Sequence, residues 1–188
     1  MSTHPNLCKA DDSLLIVVDI QTKLSDAMPE DDAEEVITNS LRLVEAAGIL
    51  DIPILLTEQY PKGLGPTDTS IAKSLPEQTQ VFDKTGFSCC AANGFCQALA
   101  ASSKRQVILV GQEAHVCILQ TALELVHRGY QVYVVEDAVC SRNAEHKFFT
   151  MNRMQQLGVT ITNHESVLFE WLQGAEHKDF KTIAALLY

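Results

Sequence analysis

No apolar run in this sequence reaches the roughly 18 residues that a membrane span needs; the longest, such as Leu14 to Val18, are strand-sized. The first dozen residues are polar and offer no apolar stretch for a secretory leader. Basic residues are scarce: 14 Lys and Arg stand against 24 Asp and Glu, for a formal net charge of -10. That balance argues against a phosphate-backbone binder, which needs clustered cations to displace counterions. There is no GxGxxG after the first apolar run and no GxxxxGK[ST], so the fingerprints of dinucleotide and P-loop enzymes are missing. There is also no CxxC and no Cys/His spacing of a zinc site. The six cysteines therefore read as free thiols of a reducing compartment, and a cytoplasmic protein is expected.

What is present is an alternation of short apolar runs and helical patterns along nearly all 188 residues. Leu14 to Val18 is a β-branched run of the kind covered on both faces of a sheet. Asp31 to Leu50 has helical periodicity, with Ile37, Leu41, Val44 and Gly48 on one stripe. Pro53 to Thr57 reads as a second strand and Glu58 to Thr69, rich in Gly and Pro, as a loop. Val81 to Lys84, Gln106 to Val110, Gln131 to Val135 and Val159 to Thr162 read as further strands. Helices are expected at Asn93 to Ser102, Val116 to Arg128 and Ala144 to Leu157, with short ones from Ser166 and Lys178. Such alternation implies right-handed βαβ crossovers and an α/β fold: a single three-layer, doubly wound, mostly parallel sheet with helices on both faces. We expect one domain over residues 1–188, its core about 14–173 and its last helix about 178–187.

In open α/β sheets, ligands bind beyond the carboxyl ends of the strands. Asp19 ends the run LLIVVD, Lys84 ends VFDK, and Cys117 follows QVILVG by a short turn and opens a helix. A thiol attacks as thiolate, and a helix N-terminus with a nearby ammonium lowers its pKa. Asp19 is suited to take the thiol proton and return it to a leaving group. Backbone N–H groups in the turn before Cys117 are candidates for an oxyanion hole. Each residue also has a plainer reading: Asp19 as a turn former, Lys84 as a solvated lysine, Cys117 as a core thiol. A rival for the whole chain is a non-catalytic interaction or redox-sensing protein that keeps a reactive thiol.

The segments VVDIQ, TEQYPKGLG, FDKTGFSC, VILVGQEAHVCILQTALEL and VVEDAVCSR occur in an order that resembles the isochorismatase-like hydrolases. Among them the chain is most similar to the small isochorismatase-domain-containing proteins, with nicotinamidases and N-carbamoylsarcosine amidases as wider kin. The resemblance implies a triad of Asp19, Lys84 and Cys117, and oxyanion donors in the backbone N–H groups of Glu113 and Cys117. It also implies a non-proline cis peptide at Gln112–Glu113, and a homo-oligomer acting on a small molecule, with no nucleic-acid or membrane partner. Nicotinamidases hold a metal through Asp-x-His after the second strand. Here Thr57-Glu58-Gln59 stands in that place, so we expect no metal and no cofactor. Isochorismatases proper do not need a cysteine at the position of Cys117, which places this chain in the thiol branch and implies an amide or related acyl bond as its target.

Around that core, Gln21 is expected either to line the pocket or to bond the next turn's backbone. Glu58 and Tyr60 are expected at the pocket rim. His115 lies near the nucleophile, but residues this close on a helix start point apart, and the resemblance leaves the acid–base role to Asp19. Arg142 is placed to hold a carboxylate or a backbone carbonyl, and Cys89, Cys90 and Cys140 are expected to pack.

Overall fold

The computed structural model describes residues 4–188. Its centre is one sheet of six parallel strands in the order β3-β2-β1-β4-β5-β6. The strands are β1 (Ser13–Val18), β2 (Ile54–Gln59), β3 (Gln80–Lys84), β4 (Gln106–Gln112), β5 (Gln131–Cys140) and β6 (Thr160–Thr162). Between them run α1 (Thr22–Ser25), α2 (Glu30–Ile49), α3 (Pro61–Leu64), α4 (Thr69–Ser74), α5 (Phe95–Ala101), α6 (Leu119–His127) and α7 (Ala144–Gln156). The chain closes with α8 (His164–Leu172) and α9 (Phe180–Ala184).

Period-two alternation divides each central strand between two cores. Leu15, Val17, Leu56, Ile108, Val110, Tyr133 and Val135 face α2, α8 and the segment bearing Ile183. Leu14, Ile16, Val18, Leu55, Leu109 and Val134 face α5, α6 and α7. Because both faces are covered, the central strands read in sequence as unbroken apolar runs. The three-layer, doubly wound expectation is met.

Three local expectations are revised. The buried face of α2 runs through Ala33, Val36, Ser40, Leu43 and Ala47, together with Val44, while Ile37 and Leu41 lie at its margin and Gly48 is exposed. The core-facing stripe is thus one position away from the most apolar one, and its Ala and Ser residues let the helix sit close to the sheet. β5 does not end at Val135. Its register on β4 slips between Leu109 and Gly111, and the strand resumes through Val139 and Cys140. Glu136 and Asp137, which break the apolar run in sequence, sit in that bulge. The Glu58–Thr69 segment is not all loop: β2 extends to Gln59, α3 follows, and Gln21 forms an antiparallel bridge with Thr67.

The strand order reverses between β1 and β4, and this is where an open sheet of this kind forms its crevice. At the carboxyl ends of the two strands Val18 pairs with Gly111. Gly111 has φ +124, and a Cβ there would stand 1.9 Å from the Val18 carbonyl oxygen, so only glycine fits.

Candidate active site

Asp19 is the first residue beyond β1 and takes a left-handed conformation, φ 53, which a short polar side chain tolerates better than most. Its amide still donates to the Thr57 carbonyl, so the carboxylate leaves the strand end at a fixed point. Lys84 ends β3, an edge strand that is otherwise mostly solvent-facing, and is itself 3 % exposed. Cys117 lies in a π-type turn, Ala114–Ile118, that leads directly into α6. Within that turn the Ile118 amide donates to the Glu113 carbonyl at 3.2 Å. The peptide at Gln112–Glu113 is cis, as the resemblance implies.

The three side chains converge. Lys84 Nζ donates to Asp19 Oδ2 at 2.6 Å and lies 3.5 Å from Cys117 Sγ. Both members of the ion pair have fully buried side chains, and Cys117 is 5 % exposed. Thr57 donates its hydroxyl to the other oxygen of Asp19 at 2.7 Å. Gln59 accepts from Lys84 Nζ through Oε1 at 2.6 Å.

Burial pushes the Asp19 carboxyl above its ordinary value, against the pull of Lys84 and of the hydrogen bonds from Thr57 and Cys117. Burial works against the Lys84 ammonium too, but the charges of Asp19 and Cys117 outweigh it, and Lys84 is held protonated above its usual range. The Cys117 thiol is pushed up to about 12, first by burial and then by Asp19, with Lys84 pulling the other way. This corrects the expectation of a depressed thiol pKa. The helix start and the ammonium are both near, yet exclusion from water and an adjacent carboxylate dominate. Burial thus favours the neutral thiol of Cys117 beside the Asp19 carboxyl.

The outer residues sort themselves by their hydrogen bonds. Gln21 is fully buried and bonds backbone: Oε1 accepts from the Gln59 amide at 2.7 Å, and Nε2 donates to the carbonyls of Gln59 and Gly65. The pocket-lining alternative for Gln21 is set aside, because neither end of its amide is free. Glu58 is likewise engaged, accepting from the Thr67 amide and hydroxyl. Tyr60 is 54 % exposed, follows β2 with φ 39, and donates its amide to the Lys84 carbonyl. His115 Nδ1 pairs with Ser141 Oγ at 2.9 Å, and its ring packs on His146 with centroids 4.8 Å apart. Burial lowers the His115 pKa. The Glu113 carboxylate is held by Arg142, through both its amide and Nε, which is one of the two roles expected of Arg142. Cys89 and Cys140 pack in the interior, and Cys90 is half-buried.

Thr57 and Gln59 are the residues that sequence reading missed. Their signal was alternation: as positions i and i+2 of β2, they share one face at the carboxyl end of a strand next to β1. Among the described residues, no cluster of His, Cys, Asp and Glu is arranged to hold a metal, and no helix is long and apolar enough to cross a membrane.

The chain is similar in sequence and fold to known proteins. A family model described as the isochorismatase domain matches residues 13–166. Isochorismatase domain-containing protein 2 of Danio rerio is 40% identical over 176 residues, covering 93% of this chain and 86% of that one. Isochorismatase family protein 1A of Dictyostelium discoideum is 36% identical over 178 residues, covering 93% of this chain and 85% of that one. A solved structure described as the MAR1 ribonuclease from Caenorhabditis elegans superimposes with a TM-score of 0.91 at 41% identity, covering 96% of this chain and 92% of that one.

Proposed function

Because the chain belongs to the isochorismatase family of hydrolases, we propose that it cleaves an amide or related acyl bond of a small molecule through a thioester on Cys117. The observation that carries this reading is the contact of one buried ammonium with both a carboxylate and a thiol sulfur. A binding module has no use for that set.

The chemistry follows from the resting protonation. Asp19 takes the thiol proton as Cys117 Sγ attacks the carbonyl carbon, so the thiolate forms only as it is consumed. The oxyanion that develops is received by the backbone N–H groups of Glu113 and Cys117. Collapse breaks the C–N bond, and the leaving amine carries off the proton held on Asp19. A water then gives a proton to Asp19 and its hydroxide to the thioester. The acid departs, and the sulfur recovers its proton from Asp19. Lys84 stays charged throughout and keeps carboxylate and sulfur in register.

An activity screen against a panel of small amides, with Cys117→Ala as control, tests the proposal. Turnover retained in Cys117→Ala would remove the thioester from the mechanism.

A second reading rests on names alone: the Caenorhabditis elegans neighbour is described as a ribonuclease, as are two further solved neighbours from Leishmania. Charge argues the other way, since a chain of net charge -10 is poorly suited to hold a polyphosphate strand. Single- and double-stranded RNA substrates belong in the same screen, and Cys117-dependent cleavage of RNA with no cleavage of amides would favour it. Self-association is proposed alongside, supported by the family resemblance and by Phe148 and Phe149, paired edge-to-face and both exposed on α7. Light scattering on the purified protein tests this, with a monomer as the contrary result.

A further inference from the structure

A buried ammonium has three hydrogens and needs an acceptor for each. At Lys84 two contacts are short, to Asp19 Oδ2 and Gln59 Oε1, both at 2.6 Å. Two are long, to Cys117 Sγ and the Gly86 carbonyl, both at 3.5 Å. Asp19 neutralises the charge, but one anchor alone leaves the amine free to swing about it. Gln59 supplies the second anchor, and the remaining hydrogen is then confined to the side where Cys117 and Gly86 lie.

Gln59 is itself held on every side. It stands opposite Lys84 in the β2–β3 register. Its Nε2 donates to the Thr85 carbonyl at 2.9 Å, which turns Oε1 toward Lys84. Its amide and carbonyl are both taken by the buried side chain of Gln21, at 2.7 and 3.1 Å, and Gln21 is tied in turn to the Gly65 carbonyl at 2.6 Å. A glutamine serving only solubility would not have its backbone and its side chain locked separately.

We infer that Gln59 is a positioning residue of this site, whose side-chain oxygen fixes both the charge and the aim of the Lys84 ammonium toward the Cys117 sulfur. The inference rests on the Asp19–Lys84–Cys117 reading. A hydrogen bond from an ammonium to an amide oxygen is about twice as strong as one from a neutral amine, so Gln59 favours the charged lysine. A charged lysine held at the sulfur favours the thiolate. Gln21 acts one step further out, by keeping the Gln59 backbone where its side chain can reach.

The test reads Cys117 without a substrate. The full-length protein is treated briefly with iodoacetamide at pH 9, and alkylation of each cysteine is followed by peptide mass spectrometry. The thiolate displaces iodide to form the S–CH2 bond, so the rate follows the thiolate fraction. Lys84→Met and Gln59→Met should each slow alkylation of Cys117, by about tenfold for Gln59→Met, which corresponds to one pH unit in the thiol. Gln59→Asn, one methylene too short to reach Nζ, should behave as Gln59→Met does. Cys140 and Cys89 should stay as unreactive as in the parent protein. Parent-like alkylation of Cys117 in both Gln59 variants, with Lys84→Met slowed, overturns the role of Gln59 and leaves the triad standing. Parent-like alkylation in Lys84→Met overturns the triad reading and this inference with it. Faster alkylation of all the buried cysteines in the Gln59 variants would show a merely structural residue and also overturns the inference.

Discussion

Lys84 and Asp19 form an ion pair of 2.6 Å in which neither side chain is accessible to solvent. Such a pair costs the fold little only while both charges are present, since removing one strands the other in a medium that cannot solvate it. Lys84→Met should therefore destabilise the protein by about 3 to 5 kcal/mol. Lys84→Met combined with Asp19→Leu should recover most of that loss. Urea denaturation of the single and double variants checks both statements.

The catalytic roles should behave as one unit. Cys117→Ala, Asp19→Asn and Lys84→Met should each lower kcat on the order of a thousandfold or more, and combinations should cost little beyond the worst single change. Steady-state kinetics with any substrate found in the amide screen decides this. A Lys84→Met enzyme with near-normal turnover would reduce Lys84 to a structural lysine.

High pH should unfold the protein. The thiols of Cys117 and Cys140 are pushed up to about 12 and that of Cys89 to about 11, in each case chiefly by burial. In the unfolded chain a thiol titrates near its ordinary value of 9.0. A raised folded pKa means that the native state binds more protons above that value. The stability it contributes is complete below pH 9 and lost as pH rises toward the folded value. Once the unfolded chain has titrated, each such thiol removes about 1.4 kcal/mol per pH unit. Denaturation midpoints measured from pH 8 to 11 should fall steeply, and the slope should be shallower in Cys140→Ala.

Turnover should be indifferent to chelators. The Thr57 hydroxyl is committed to Asp19 and the Gln59 amide oxygen to Lys84, so neither is free to bind a cation. Activity retained after dialysis against EDTA is the expected result. Loss on chelation with recovery on added zinc would refute it.

Gly111, paired with Val18 where β1 lies beside β4, has no room for a methyl group. Gly111→Ala places a Cβ 1.9 Å from the Val18 carbonyl oxygen at a residue with φ +124. Overpacking and a disallowed conformation together should cost more than about 3 kcal/mol. Thermal unfolding of Gly111→Ala gives the value, and a near-parental midpoint would mean that the strands can part there.

The layout of the sheet was open to reading because its buried strands are written as apolar runs and its helices by their period. The convergence of Asp19, Lys84 and Cys117 was legible too, since each marks the end of a strand or the turn beyond it. What stayed hidden was what a one-dimensional pattern does not carry. The exposed company of β3 gives no hint that Lys84 is buried. Gln59 and Thr57 look like ordinary polar residues until β2 is set beside β1 and β3. The direction of the Cys117 thiol was misjudged because sequence shows a helix start but not the depth at which the sulfur sits. Gln21 had two readings of equal standing, and only the positions of the Gln59 and Gly65 backbones separate them.

All the ladders of the sheet are parallel, so no two neighbouring strands are joined by a hairpin. β1, which leads to Asp19, lies against β4, which leads to Cys117, only after roughly half the chain has been looped out between them. Pairings that distant come late and slowly when a chain folds. A nascent chain that has emerged only as far as β3 holds Asp19 and Lys84 without Cys117. The three side chains then come together at a single moment, when β4 slots in beside β1, and a partly folded molecule holds their sequence without their arrangement.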